Sequence, residues 1–427
     1  MGGHTDRGVH ERRGLAATLL AGVYLAYFDR AMPGAVAPLV KHDFGLSDTA
    51  LGFATATAAA LAYALVAFLL AMLDDGGRPR RDAALTGGVI AWAIGTMALA
   101  FAPSFDLYIA AELLVGAGQA AFVPAAASAI VAAGGEVNLG RATARFTSAS
   151  TLGRSSAVLA TGLLIGAITA AGIALPLLPA AWRTVFLATA LPNAILAALI
   201  AVRPRGSPAE AKTKDSACAA VPPVVLIGAF LVAVAPVMLI QAVGAWYPVL
   251  LVRIAALPPA PAAVIAGAAT LVAAPLGQQL GGMLLDRRPE RRQSPGITIA
   301  PALAVAGIGL ALLGTAPGIW AAVAVLVGVD VALGVAAAVG LAGIQALVGD
   351  TRRRRVNSIF FALVTLVGVG LGPLLAGDLS DRHGATGAAL AWALAELAVP
   401  ALVAAIAGHL LMVGAMRYRR RGGAPGN

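Results

Sequence analysis

Apolar residues run along this chain in long blocks separated by short polar or basic clusters. A helix needs roughly 20 apolar residues to cross a bilayer. Blocks of that kind fall at about 14–38, 50–73, 83–102, 107–132, 143–172, 183–202, 222–252, 260–285, 296–315, 319–347, 357–377 and 386–414. They predict twelve transmembrane helices. Membrane-spanning strands would be about 10 residues long and would alternate apolar with polar positions. These blocks are Ala, Leu, Val and Gly runs without that alternation. The longest polar interruption, residues 203–221, divides the helices six and six. It predicts a cytoplasmic linker at 203–221 between an N-terminal bundle, 1–202, and a C-terminal bundle, 222–427.

Composition sharpens this picture. Of 427 residues, 59% are hydrophobic and 12% charged, against roughly 25% charged in soluble domains. So little polar surface excludes a cytosolic enzyme, a nucleic-acid-binding domain and a disordered protein. The net charge of +10 comes from Lys and Arg clustered between the apolar runs. Cys218 is the single cysteine, so an intrachain disulfide and a Cys-based metal centre are both excluded. The first apolar run contains Asp29-Arg30 and no clean cleavage site, and reads as a retained span rather than a signal peptide. With the N-terminus inside, 24 Lys and Arg residues fall on the cytoplasmic side. Only Lys41, Arg183, Arg253 and Arg382 fall outside, while Arg30 and Arg154 lie within spans. That split predicts both termini in the cytoplasm.

The two halves echo each other. Asp75 and Asp286, Arg80 and Arg291, and Arg141 and Arg352 each lie 211 positions apart. After span 2 comes Met72-Leu73-Asp74-Asp75-Gly76-Gly77-Arg78-Pro79-Arg80-Arg81; after span 8 comes Gly282-Met283-Leu284-Leu285-Asp286-Arg287-Arg288-Pro289-Glu290-Arg291-Arg292. Both resemble the G-x-L-A-D-R-x-x-R-R loop of the major facilitator superfamily, the second more faithfully, since Gly76 stands where Arg is usual. An Asp at a helix end with Arg residues beyond it can pair with neighbouring helix ends. Asp75, Arg80, Asp286, Arg287 and Arg291 are therefore expected to latch one conformation. The plainer reading is ordinary positive-inside charge.

Within that superfamily the chain is similar to bacterial spinster-type transporters. The likeness is carried by Tyr27-Phe28-Asp29-Arg30, Gly45-Leu46-Ser47-Asp48, Gly116-Ala117-Gly118-Gln119-Ala120, Trp182-Arg183, Ala245-Trp246-Tyr247-Pro248 and Gly370-Leu371-Gly372-Pro373 continuing to Asp381. Asp29-Arg30 and Gly140-Arg141-Ala142-Thr143 also fit anion:cation symporters of sugar acids and aromatic acids. The resemblance implies an all-α integral membrane protein, with twelve helices in two six-helix bundles. It places spans 1, 4, 7 and 10 around a central cavity and spans 5, 8 and 11 at a moving seam. Gly162-x-x-x-Gly166, Gly277-x-x-x-Gly281 and Gly368-x-x-x-Gly372 would allow close backbone contact there. The chain departs from spinster-type proteins at Gln119, where Glu is usual, and at Glu112, where Arg is usual.

An ionisable group in the hydrocarbon core costs about 2.5–3.5 kcal/mol on insertion scales, so it is a functional candidate by default. Asp29, Glu112 and Asp330 are the candidate proton carriers, with structural pairing as the bland reading. Arg30, Gln119, Arg154, Gln241, Trp246 and Tyr247 are the candidate substrate contacts. Arg154 either pairs with Glu112 or Asp29 or meets an anionic substrate. Trp246 and Tyr247 are alternatively interfacial belt residues. Glu396, in a span peripheral by resemblance, is left out of the site.

The expectation is a secondary active transporter working by alternating access and coupled to protons. Its substrate would be a small organic anion or an amphipathic lipid-like solute, because Arg suits an anionic group and Ala- and Leu-rich walls suit an apolar body. An anion:cation symporter-type carboxylate carrier is the alternative. An integral membrane enzyme would need catalytic His, Cys or metal clusters, and a channel a re-entrant filter; neither pattern is visible. No cofactor and no metal is implied. The expected setting is a monomer in the bacterial inner membrane, with protons, a small solute and the lipid bilayer as partners and no nucleic acid.

Overall fold

The computed structural model describes residues 3–72, 78–134, 139–173, 178, 180–202, 222–288, 294–347 and 363–422. Among them twelve long helical segments follow one another. They are α1 (Gly3–Phe44), α2 (Asp48–Leu70), α3 (Arg78–Phe101), α4 (Phe105–Gly134), α5 (Leu139–Ala170) and α6 (Ala181–Ala201). Then come α7 (Pro223–Ala255), α8 (Pro259–Arg287), α9 (Gly296–Leu313), α10 (Ile319–Leu347), α11 (Val364–Arg382) and α12 (Gly387–Gly422). Eleven of these are long and apolar enough to cross a membrane on length and composition. The remaining one, α1, carries Asp29 and Arg30 in the middle of its apolar stretch. Two helices are not uniform. α2 is π-helical over Phe53–Thr57, and α11 is π-helical over Val364–Leu371 before becoming α-helical at Gly372.

Lipid explains why these sequences form these elements. With no water to satisfy backbone groups in the hydrocarbon layer, each segment must bond to itself. Leu65, Phe68, Leu191, Ile308, Trp320 and Leu410 are each more than half exposed. Such apolar surface would be a liability in water and is at home against acyl chains.

The chain packs as two compact units. Unit 1 holds α1, α2 from Ala54 onward, α3 to α6, and the start of α8 as far as Gly267. Unit 2 holds Ser47–Phe53 of α2, α7, α8 from Ala268 onward, and α9 to α12. Neighbour relations repeat between them: α3 packs on α4 and α6 in one, and α9 packs on α10 and α12 in the other. That repetition is the structural counterpart of the 211-residue echo. In unit 1 an aromatic cluster of Phe44, Phe105, Tyr108, Trp182 and Phe186 ties α1, α4 and α6 together. The glycine pairs divide. Gly162 of α5 lies against Val264 of α8, whereas Gly277 and Gly281 lie against Val331 and Val335 of α10.

Candidate functional site

Asp29 and Arg30 are successive residues of α1, so their side chains leave the helix about 100° apart. Arg30 turns toward α4 and α2. Its Nε and Nη2 donate to Gln119 Oε1 at 3.2 and 3.1 Å. Its guanidinium carbon lies 5.2 Å from the ring centroid of Tyr27 and 4.8 Å from that of Tyr63. Gln119 is held from behind, because its Nε2 donates to Ala26 O at 3.1 Å. The amide oxygen is thereby fixed toward Arg30. Arg154 of α5 lies within electrostatic reach of Tyr27 and Arg30. The sequence left Arg154 between a carboxylate partner and an anionic substrate, and Arg30 and Tyr27 lie within its electrostatic reach. A guanidinium group, an amide and two tyrosine rings thus converge in unit 1, with Arg154 within electrostatic reach. That set can receive an anion and stack an apolar or aromatic body beside it.

Asp29 turns away from this cluster. It is buried, and its Oδ2 accepts from Trp92 Nε1 at 2.9 Å, Thr96 Oγ1 at 3.1 Å and Asn193 Nδ2 at 2.5 Å. These donors come from α3 and α6. Glu112 of α4 is also buried and lies near Asp29 and Tyr108. Asp29 Oδ1, Asn193 Oδ1, Glu112 Oε1 and the Tyr108 hydroxyl have no hydrogen-bond partner among the described residues. Arg30 and Asp29, adjacent in sequence, thus have separate partners. Trp92, Thr96, Asn193, Tyr63 and Tyr108 were not singled out in the sequence. Thr96 and Asn193 gave a faint signal as polar residues inside apolar spans, and the others gave none.

In unit 2, Asp330 of α10 accepts from Thr270 Oγ1 at 3.1 Å, and Tyr247 of α7 lies within its electrostatic reach. Tyr247 is buried, and its hydroxyl has no partner among the described residues. Trp246 is buried too, and its indole donates to Pro373 O at 3.0 Å. It joins α7 to α11 and does not sit in an interfacial belt. Gln241 is half-buried on α7. Glu396, set aside above, pairs with His383 Nε2 at 2.9 Å, with both side chains partly exposed.

Asp286 and Arg287 are exposed in the last turn of α8, and Arg80 lies in the first turn of α3. Asp75 and Arg291 lie outside the described residues.

A twelve-helix membrane carrier is the class that these helices and their interior polar clusters define. The pattern of the Major Facilitator Superfamily matches residues 19–373, and the chain belongs to that family. It is therefore a multi-pass membrane transporter of small molecules rather than an enzyme. It is 26% identical to an MFS-type efflux pump of Mycolicibacterium smegmatis, over 98% of this chain and 96% of that protein. It is 28% identical to a gentisate transporter of Corynebacterium glutamicum, over 44% of this chain and 40% of that one. Among solved structures it resembles a bacterial homologue of the human lysosomal transporter Spinster, inward-facing and unoccupied. The TM-score is 0.80 at 21% identity, over 95% of this chain and 98% of that one. The nucleoside transporter NupG gives a TM-score of 0.70 at 13% identity, over 93% and 99% of the two chains. These structural likenesses show the fold, and the first of them agrees with the spinster-type resemblance of the sequence.

Proposed function

We propose that this transporter moves an amphipathic organic anion by alternating access, coupled to protons, with Arg30 as the anion-binding group. The observation that carries the reading is the setting of Arg30. Its guanidinium is oriented by Gln119 and flanked by Tyr27 and Tyr63, with Arg154 nearby. A planar cation between aromatic faces suits a carboxylate attached to an apolar or aromatic body. The gentisate transporter among its relatives carries a solute of that description, an aromatic acid. Asp29 and Glu112 form a separate buried carboxylate cluster, with Asp29 about 100° round α1 from Arg30. Interior carboxylates that gain and lose a proton as access alternates are the proposed coupling groups, with Asp330 in the second unit. Substrate and proton then meet different faces of one helix, so a movement of α1 links them. Gln241, Tyr247 and Trp246 are the proposed contacts from the second half. Trp246 acts there by holding α7 on α11.

The orientation follows the charge split: both termini and the 203–221 linker in the cytoplasm, between bundles at 1–202 and 222–427, as a monomer in the bacterial inner membrane. The test is uptake into proteoliposomes, with gentisate and a lysophospholipid as probes. Concentrative movement driven by an imposed pH gradient and abolished by a protonophore is expected for at least one probe. A gradient-independent ion current would sink the reading, as would failure of Arg30→Ala to alter transport of the probe that moves.

A further inference from the structure

The first turn of α2 is held by a network of charges that the substrate and proton clusters do not use. Asp48 is fully buried. Its Oδ2 accepts from Arg253 Nη1 at 2.7 Å and from Ser380 Oγ at 2.6 Å, while its Oδ1 accepts from Arg253 Nη2. Asp381, the next residue on α11, accepts from the backbone N–H groups of Asp48 and Thr49 at 2.9 and 2.7 Å. It also accepts from Thr49 Oγ1 at 2.6 Å. A carboxylate from α11 thus caps the N-terminus of α2, where open N–H groups and the helix dipole favour an anion. The backbones touch as well: a Cβ on Gly377 would lie 2.3 Å from Asp48 O, and one on Gly52 would lie 2.5 Å from Pro373 O.

Two further features suit a contact that parts. A π-helical segment, Phe53–Thr57, separates the touching turn of α2 from the rest of that helix, and the touching turns of α11 follow directly on its π-helical start, Val364–Leu371. Such segments weaken helical regularity and recur at functional sites. The division into compact units falls at the same place. Ser47–Phe53 packs with α7 and α11, whereas α2 from Ala54 onward packs with unit 1. When two bundles rock, a helix shared in this way must either bend at its π-helical turn or release its first turn. Ions suit a contact that opens, because water replaces the lost partners of both charges. Arg253 is already 15% exposed.

We propose that Asp48, Arg253, Ser380 and Asp381 form a latch that holds the start of α2 on α7 and α11 in one access state. They act as positioning residues for transport. The latch rests on the alternating-access reading above, and its placement on the outer face rests on the charge-based orientation.

The test uses Ala376, fully buried on α11 beside this network, as a reporter. In a Cys218→Ser background, Ala376→Cys is labelled from outside right-side-out vesicles with a membrane-impermeant maleimide. Ala157→Cys, equally buried on α5, serves as the control. Asp48→Asn and Arg253→Gln are each expected to raise Ala376→Cys labelling at least about fivefold, the low end of typical coupling between sites. Combining them should add little, since they break one interaction. Arg253→Lys and Asp381→Asn should give smaller rises and keep a wild-type size-exclusion profile, which guards against variants that fail to fold. A rise seen only from inverted vesicles supports the latch and overturns the orientation. Unchanged labelling in the well-folded variants overturns the latch, and so does an equal rise at both reporters, which reports general loosening.

Discussion

Asp29 and Arg30 show how far one residue's neighbours differ from those of the next. Helix geometry alone separates them, and packing then gives them different partners. Arg30 meets Gln119, Tyr27 and Tyr63, while Asp29 meets Trp92, Thr96 and Asn193. The candidates themselves were legible in the sequence, because an ionisable group in an apolar span demands a reason. Their partners were not legible, because Trp92 and Asn193 reach Asp29 from helices distant in the chain. The structure changes the coupling argument accordingly. Arg30 and Asp29 have separate partners, so on the proposed reading the substrate would act on the carboxylates through α1. Asp29→Asn is expected to abolish pH-gradient-driven accumulation and to spare counterflow exchange. Glu112→Gln should do the same more weakly, having fewer bonds to lose. Arg30→Ala should impair both modes and raise KM for the anion roughly tenfold or more, as loss of a hydrogen bond to a charged group commonly does. Uptake with and without an imposed pH gradient, compared with counterflow for all three variants, checks this. Accumulation that persists in Asp29→Asn would pass the coupling role to Asp330.

Among the helices, the apolar blocks read off the sequence became the twelve helical segments, since length and hydropathy decide what crosses a bilayer. Pairing between helices was less legible. The sequence marked small-residue spacing in spans 5, 8 and 11, but the close partner of Gly162 is Val264, while Gly277 and Gly281 face α10. Spacing shows that a backbone approaches something without showing what. Trp182-Arg183 was legible only as part of a family likeness. In the structure Arg183 joins three helix ends. It donates to Ala102 O at 2.6 Å beyond the end of α3, pairs with Asp43 at 3.5 Å near the end of α1, and lies 4.3 Å from the Trp182 ring centroid. Arg183→Ala should therefore destabilise the fold by about 1–3 kcal/mol, the usual cost of stranding such partners. KM should stay near wild type, because the cluster is distinct from that of Arg30. Thermal unfolding in detergent, followed by intrinsic fluorescence, reads the first effect and substrate titration the second. A raised KM with unchanged unfolding would reverse this assignment.

At the scale of the whole molecule, the halves and their sidedness were read from charge. Cys218 lies in the 203–221 stretch, outside the described residues, and is expected to resist an impermeant maleimide in intact cells. Rapid labelling there would invert the topology. Under the proposed orientation, two charge clusters would have opposite duties. Asp286 sits in the last turn of α8, where the helix dipole disfavours an acid by about 0.3–1 kcal/mol. An acid kept at that end is explained by cationic neighbours, and Arg287, Arg288, Arg291 and Arg292 follow it in sequence. If this cytoplasmic cluster closes the inner side while the Asp48 network closes the outer side, the two latches favour opposite access states. Asp286→Asn should then lower outside labelling of Ala376→Cys, the reverse of Asp48→Asn. The expected change is roughly two- to fivefold, in keeping with an exposed ion pair worth at most about 1 kcal/mol. Expression should stay near wild type, because no buried group is stranded. Asp48→Asn combined with Asp286→Asn should fall between the single variants, since distant sites bias one equilibrium additively. If Asp286→Asn leaves labelling and transport rate unchanged, the acid at the end of α8 serves only local charge balance, and the outer network alone sets the resting state.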